Sequence, residues 1–343
     1  MTNTATAYSE HAGKVVEAGR RFKHVMALNL DPRTNYGEGL IRCILSREGD
    51  VSVKGSVDRS ELHKVKGADL EHFEIGDAIV IKNQDEIIRQ IIRSGQVFIG
   101  LEDPEIWIDE MTDLLHLYVT LPLIDLYDER KSRIHLGHAV GRDLDSLEMT
   151  VSSLIAGHGG DAKELSVAPK NSRGFRNNLF ESSKREGDTD YSVVCVAVAR
   201  DMGKPWTFGD IAFNPNDQGI PWIGGHASPG PLFSENFLDL GRGKRLGVMN
   251  GREANIESGK RTLYGMFSVG LFVYDYENGK IDWVSPEPLI RDSAARTITF
   301  ASQFVETGTG EGVLYAHVDD SFVRAYTLRA EGMKALLPKG DFL

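Results

Sequence analysis

Cysteine is scarce in this chain. Only Cys43 and Cys195 occur in 343 residues, far apart, and no CxxC, HExxH or paired Cys/His spacing points to zinc. Cys195 lies within Val193-Val194-Cys195-Val196-Ala197-Val198, where a thiol behaves as a small buried hydrophobe. Positive charge is in short supply as well: 39 Lys and Arg stand against 50 Asp and Glu, a net charge of −11 with a pI of about 5.4. Such a surface sets up no broad field for a polyanion, which argues against nucleic acid or an anionic membrane as a partner. Aromatic residues make up 8%, without the basic-aromatic clusters that stack bases. No apolar run approaches the length of a membrane span, and residues 1–10 are polar without a signal core, so a reducing cytoplasm is the expected compartment.

Long helical periodicity is nearly missing too; residues 60–66 and the last residues of the chain each read as a helical turn or two. What remains is a succession of short apolar strands separated by Gly, Asp, Asn and Pro. Segments 39–45, 78–82, 114–121, 134–140, 192–200, 246–250, 269–276, 297–304, 312–318 and 322–328 are the strand candidates. Several are apolar on both faces, which predicts burial between layers. Glu277-Asn278-Gly279-Lys280, between two such runs, is a two-residue hairpin signal. The strands fall into five groups of similar size without intervening helices, and five sheet units over this length fit a five-bladed β-propeller. The alternative is a two-domain β protein, for which no Pro/Ser-rich linker speaks. Residues 1–20 read as a flexible N-terminal arm placed to close the ring, and residues 21–343 as one propeller.

Gly100-Leu101-Glu102-Asp103-Pro104-Glu105-Ile106-Trp107 carries the clearest chemical signal. Proline fixes its own φ and pushes the preceding residue toward extended backbone, which predicts Asp103 on a stiff, extended strand entrance. A carboxylate so held suits proton transfer to a sugar oxygen; the plainer alternative is a turn acid ahead of an ordinary strand.

From about residue 35 to residue 330 the order of motifs resembles glycoside hydrolase family 130, the five-bladed propellers of β-mannoside phosphorylases and related hydrolases. Leu40-Ile41-Arg42 is similar to the first-blade strand ending in arginine, and Gly67-Ala68-Asp69-Leu70-Glu71-His72-Phe73 to the turn that follows. Leu101-Glu102-Asp103-Pro104 resembles the second-blade "EDPR" motif, and Ala139-Val140-Gly141-Arg142-Asp143-Leu144 the close of that blade. Lys163-Glu164-Leu165-Ser166-Val167-Ala168-Pro169 resembles the third-blade "KDxxxFP", and Gly224-Gly225-His226-Ala227-Ser228-Pro229-Gly230-Pro231 the loop opening blade four. Leu314-Tyr315-Ala316-His317-Val318-Asp319 is similar to the last blade's "YYGAAD". Three departures mark a divergent subgroup: Glu105 stands where the family has arginine, Met249-Asn250-Gly251 replaces "YHG", and Leu28-Asn29-Leu30-Asp31-Pro32 is a poor echo of the first-blade motif.

The resemblance implies a catalytic propeller with Asp103 as proton donor, Lys163 on phosphate, and Arg42 and Asp319 on the sugar. Glu102 would orient the Asp103 loop or bind a hydroxyl. Arg176 and His226 complete a candidate anion pocket with Lys163, although long cations at strand ends are commonly solvated and a histidine in a Gly/Pro loop equally serves structure. Arg42 and Asp319 would meet across the ring seam, as sugar ligands or as a structural ion pair. Tyr118, Trp107 and Trp222 are aromatic candidates to stack a pyranose, against the commoner role of core residues. Cleavage of a glycosidic bond needs a proton for the departing oxygen and a nucleophile at the anomeric carbon. The resemblance points first to inverting phosphorolysis of a β-linked mannoside or similar oligosaccharide, with inorganic phosphate as co-substrate and no cofactor or metal. An inverting hydrolase drawing on Glu105, Glu253 or Asp320 is the alternative, and a carbohydrate-binding propeller without turnover is the third. Homo-oligomerisation stays open.

Overall fold

The computed structural model describes residues 7–338 apart from 187–188, 242 and 260. Five antiparallel sheets follow one another around a ring, each running from an inner to an outer strand. Blade one consists of His24–Leu30, Glu38–Glu48, Val57–Gly67 and Phe73–Ala78. In blade two, Gln96–Phe98 and Glu102–Ile108 together form the inner edge of Leu115–Asp125, followed outward by Arg133–Gly141 and Glu148–Val151. Blade three runs Lys163–Ser166, Arg176–Glu186, Thr189–Ala199 and Trp206–Phe213, with Ile155–Ala156 added in parallel at its outer edge. Blade four runs His226–Leu232, Lys244–Arg252, Phe267–Asp275 and Lys280–Val284. Blade five runs Thr299–Gly308, Glu311–Val318 and Phe322–Arg329, and its outermost strand is Tyr8–Val16.

The chain therefore closes the ring with its own beginning. Tyr8 pairs with Leu328 and Val16 with Val323, so this part of the expected flexible arm is an ordered strand; residues 1–6 lie outside the described residues. Residues 60–66, expected to be helical, are strand as well. Ser60, Leu62 and Val65 are buried while Glu61 is exposed, the near-alternation of a half-covered sheet. The short helix Gln84–Arg89 was not foreseen, whereas the chain end does carry a helical turn, Ala330–Lys334. A hairpin does join the third and fourth strands of blade four at the expected place, but its loop is 276–279, between the paired Asp275 and Lys280, rather than two residues, with Gly279 at φ +69°.

Strands apolar on both faces are explained by where the core sits. Its five largest clusters lie one in each cleft between neighbouring blades. Leu40, Leu62, Leu117 and Val119 fill the cleft between blades one and two, and Tyr118, Phe180, Cys195 and Trp206 that between two and three. Each blade thus has apolar neighbours on both sides. Among the described residues no helix is long and apolar enough to cross a membrane.

Candidate active site

Three neighbouring blades break their inner-strand pairing in the same way. Register shifts fall between Met26 and Asn29, between Glu102 and Glu105, and between Lys163 and Leu165. In each shift a residue other than glycine takes positive φ: Ala27 at +50°, Asp103 at +45° and Glu164 at +49°. Such conformations cost about 1–3 kcal/mol each and persist only where surroundings enforce them. All three residues line one cavity on the propeller axis, together with Pro104, Glu105, Pro229, Phe300 and His317. Bulges re-aim side chains, and here they present a methyl group, an aspartate and a glutamate to a common space. Asp103 is accordingly left-handed, not extended as Pro104 alone would dictate. The bulge overrides the local preference, and the tight packing before it fixes the result. Gly100, at φ +127°, lies so close to blade one that a Cβ there would stand 1.9 Å from the Ser60 carbonyl oxygen.

Arg42 organises the acids of blade two. Its guanidinium lies 3.1 Å from Asp103 Oδ1 and makes a second, charge-assisted hydrogen bond to Glu102. Burial opposes its charge, but Glu102 and Asp103 outweigh that and hold Arg42 above the ordinary arginine range. Burial, reinforced by Asp103 and opposed by Arg42, pushes Glu102 up to about 7. Glu105 is pushed by burial up to about 8, although it accepts a hydrogen bond from Asn29 Nδ2 at 2.9 Å. Asn29 also accepts from the Ile106 amide at 3.0 Å, tying blade one to blade two. Glu164 is raised well above the usual glutamate value, first by burial and then by the charge of Asp103.

The expected anion pocket does not assemble from its three cations. Lys163 and His226 do meet, but both are held by one buried carboxylate, Glu181, at 3.2 and 3.0 Å, which also accepts from Ser192 Oγ at 2.8 Å. Burial lowers His226 despite the opposing pull of Glu181. Arg176 opens the strand Arg176–Glu186, whereas Glu181, the partner of Lys163, lies at its middle, roughly 17 Å away at strand spacing. Arg176 donates to the Ala168 carbonyl at 2.6 Å and lies over the Trp107 ring.

Two sugar-binding candidates have structural partners of their own. Tyr118 is fully buried between blades two and three, its hydroxyl donating to the Met202 carbonyl at 3.1 Å. Asp319 is the anchor of its own loop, accepting from the backbone amides of Arg296, Thr297 and Ile298 at 3.0, 2.9 and 3.0 Å. It pairs with Arg296, not Arg42. Its neighbour Asp320 pairs with His317 at 3.2 Å, and His317 stacks on Phe300 at the cavity wall. Trp222 is core, donating to the Ser285 carbonyl at 2.9 Å. Glu253 pairs with Arg291.

Glu164, Glu181 and His317 are the residues that sequence reasoning passed over, although all but Glu181 lay inside quoted motifs. For Glu164 the available signal was its place at the same depth as Asp103 in the next inner strand, which low similarity between blades conceals; Glu181 and His317 lie on second strands and carried no such signal. Arg252, also missed, donates to the Asn255 side chain and at 3.1 Å to the Gly225 carbonyl, neither of which carries charge.

A roof covers this end of the axis. Loop 49–56 of blade one reaches the hairpin Ile256–Ser258/Arg261–Leu263 of blade four: Val53 bridges Leu263, and the Lys54 and Tyr264 amides donate to Thr262 and Ser52 carbonyls at 3.1 and 2.9 Å. Blades one and four are not ring neighbours, so the contact spans the funnel. Lys54 also pairs with Asp190 of blade three, and Val51 packs on Phe267, Ile298 and Phe300. A roomier groove of about 600 Å³ between blades one and two lies at the opposite end. Three of its cations are paired within it, Lys64 to Asp145, Lys66 to Glu38 and Arg33 to Asp31. Among the described residues no cluster of His, Cys, Asp and Glu is arranged to hold a metal ion.

The architecture is that of a five-bladed β-propeller with an acid-lined axial cavity. No protein-family model matches the chain, and no curated protein matches it in sequence. Similar solved structures span nearly its whole length. A member of the GH130 family of mannoside phosphorylases, among which are glycoside hydrolases targeting β-1,2-mannosidic linkages in Candida mannan, superposes with a TM-score of 0.67 at 14% identity, covering 96% of each chain. A glycosyl hydrolase from Bacteroides ovatus gives 0.63 at 15% identity, covering 96% of this chain and 92% of its own. The β-1,2-mannobiose phosphorylase of Listeria innocua gives 0.57 at 12% identity, covering 96% and 90%. At these identities the likeness is one of fold.

Proposed function

We propose that the protein is a carbohydrate-active enzyme that cleaves β-linked mannosides or similar oligosaccharides in the axial cavity, with water taking the sugar. The observation that carries this reading is the pairing of Asp103 and Glu164, aimed into one cavity from neighbouring blades by matching backbone bulges. Two carboxyl groups facing one space are what hydrolysis of a glycosidic bond requires. Phosphorolysis needs one, plus free cations for a dianion. Here Arg42 is taken up by Glu102 and Asp103, and Lys163 by Glu181, so phosphate would have to compete with buried carboxylates. The choice of mannosides rests on the structural neighbours and the motif resemblance. Two buried free cysteines are in keeping with a reducing compartment such as the cytoplasm.

Phosphorolysis is the second reading, favoured by Arg252, whose buried guanidinium has, among the described residues, only uncharged hydrogen-bond partners near His226. The deciding experiment incubates the protein with a panel of β-mannosides, with and without inorganic phosphate. Phosphate-independent release of reducing sugar is expected. Sugar 1-phosphate formed only with phosphate would replace hydrolysis by phosphorolysis. Sugar binding by calorimetry without turnover, unchanged in Asp103→Asn, would leave a carbohydrate-binding propeller.

A further inference from the structure

Asp103 and Glu164 occupy equivalent bulges yet differ in surroundings. Asp103 enters the cavity paired with the Arg42 guanidinium, at 3.1 Å. Glu164 has no such partner: among the described residues its carboxyl makes no hydrogen bond and no ion pair, and the adjacent Lys163 ammonium is turned to Glu181 at 3.2 Å. The charged groups facing Glu164 are Asp103 and Arg42 from blades two and one, and Lys163 and Glu181 from its own blade. Glu105 and His317 share the cavity wall with it.

We propose that Glu164, rather than Asp103, delivers the proton to the departing glycosidic oxygen, and that Asp103 receives a proton from the attacking water. The inference rests on the hydrolytic reading of the site and divides its labour. A buried carboxyl without a counter-charge is stable when it keeps its proton, whereas one beside a guanidinium is stable as the anion. In the step itself the Glu164 carboxyl proton passes to the glycosidic oxygen as the bond from that oxygen to the anomeric carbon breaks, the bonding pair leaving with the oxygen. Water adds to the anomeric carbon and gives one proton to the Asp103 carboxylate. The products are an alcohol and a hemiacetal, with Glu164 ionised and Asp103 protonated; exchange with solvent restores both. Burial first, then the charge of Asp103, keeps Glu164 well above the ordinary glutamate value, the state a donor needs near neutral pH. The strained backbone at φ +49° fits a residue held for function.

Leaving-group dependence separates the two roles. The wild type, Glu164→Gln and Asp103→Asn are assayed on β-mannobiose, whose departing alcohol needs a proton, and on 2,4-dinitrophenyl β-mannoside, whose phenolate does not. Glu164→Gln is expected to lose about 10²–10⁴-fold in kcat on the disaccharide, to stay close to wild type on the activated substrate, and to lose the alkaline limb of the pH–rate profile. Asp103→Asn is expected to fail on both. A Glu164→Gln enzyme impaired equally on both substrates, or on neither, overturns the assignment while the hydrolytic reading stands; a wild type that cleaves neither substrate ends both. A second measurement needs no turnover. A carboxyl whose folded value is raised stabilises below its unfolded value, and that contribution is lost as pH rises toward the folded value. Wild type should therefore lose stability relative to Glu164→Gln as pH rises above the ordinary glutamate range, and parallel melting curves would show Glu164 ionised and refute the proposal.

Discussion

Lys163 and Glu181 form an ion pair of 3.2 Å in which the carboxylate is completely buried. The same carboxylate holds His226 at 3.0 Å, so one acid neutralises what the sequence presented as two arms of an anion pocket. Removing it should be costly, because Lys163 and His226 lose the counter-charge they share. Glu181→Gln is expected to lose about 3–5 kcal/mol of stability in urea unfolding. His226 and Lys163 outweigh burial and hold Glu181 below the ordinary carboxylate range. A depressed acid stabilises above its unfolded value and loses that contribution as pH falls through its folded value. The gap between wild type and Glu181→Gln should therefore narrow in acid, and a gap independent of pH would show that the pair contributes shape, not charge.

The position of Asp103 depends on a backbone contact two residues upstream of its motif. Gly100 packs on Ser60 with no room for a side chain: a Cβ would stand 1.9 Å from the Ser60 carbonyl oxygen, and φ is +127°. Gly174 has a comparable φ of +84° but nothing within 4 Å of its Cβ site, which makes it the control for conformational strain alone. Gly174→Ala should cost about 1–2 kcal/mol. Gly100→Ala should cost several times as much, about 3 kcal/mol or more, and abolish mannoside turnover in whatever fraction folds. Equal costs for the two substitutions would mean that the blade contact yields without consequence.

The propeller was legible because its strands are apolar on both faces and punctuated at regular intervals, a pattern set by clefts between blades. Asp103 could be singled out because its motif is local, but the bulge that turns it into the cavity overrides the conformation Pro104 alone dictates. Arg176 and Tyr118 failed for the opposite reason: sequence places them near the right strands but does not say at which end of the blade, or on which face, they fall. Residues at opposite strand ends in one blade are far apart, while Arg42, Asp103 and Glu164, on three blades, share one end. Glu164 was hidden because a bulge has no residue signature of its own; only the comparison of three inner strands shows it.

Arg42 sets the charge balance of that end. Arg42→Met retains the apolar stem and removes the partner of both Glu102 and Asp103. Two buried like charges cannot both persist, and the expected loss is about 3–5 kcal/mol. Adding Glu102→Gln should return part of it by removing one acid, so the two substitutions will not be additive. Glu102→Gln alone should also flatten stability against pH. A carboxyl raised to about 7 stabilises below the ordinary glutamate value of 4.5, and this contribution fades as pH climbs through about 7. Strict additivity of Arg42→Met and Glu102→Gln would mean that the two side chains do not interact energetically.

The roof decides whether an oligosaccharide can reach the acids at all. Val53 and Leu263 face each other as a bridge flanked by the hydrogen bonds Lys54 to Thr262 and Tyr264 to Ser52, the geometry in which antiparallel Cα atoms approach to about 4.5 Å and a disulfide fits. The two native cysteines are buried, so Val53→Cys with Leu263→Cys supplies a clean pair. The edge of the roof is held by Lys54 with Asp190, each part-exposed, and surface pairs of this kind contribute only about 0–1 kcal/mol. Val51 adds one apolar contact to Phe300 and its neighbours. Such a roof is weak enough to lift on the timescale of loop motion. Oxidation of the double variant should suppress turnover of β-mannobiose at least about tenfold, and dithiothreitol should restore it, with little change in wild type under the same treatment. Full activity of the oxidised protein would require substrate to enter without parting blades one and four, by a path along the axis from the other end.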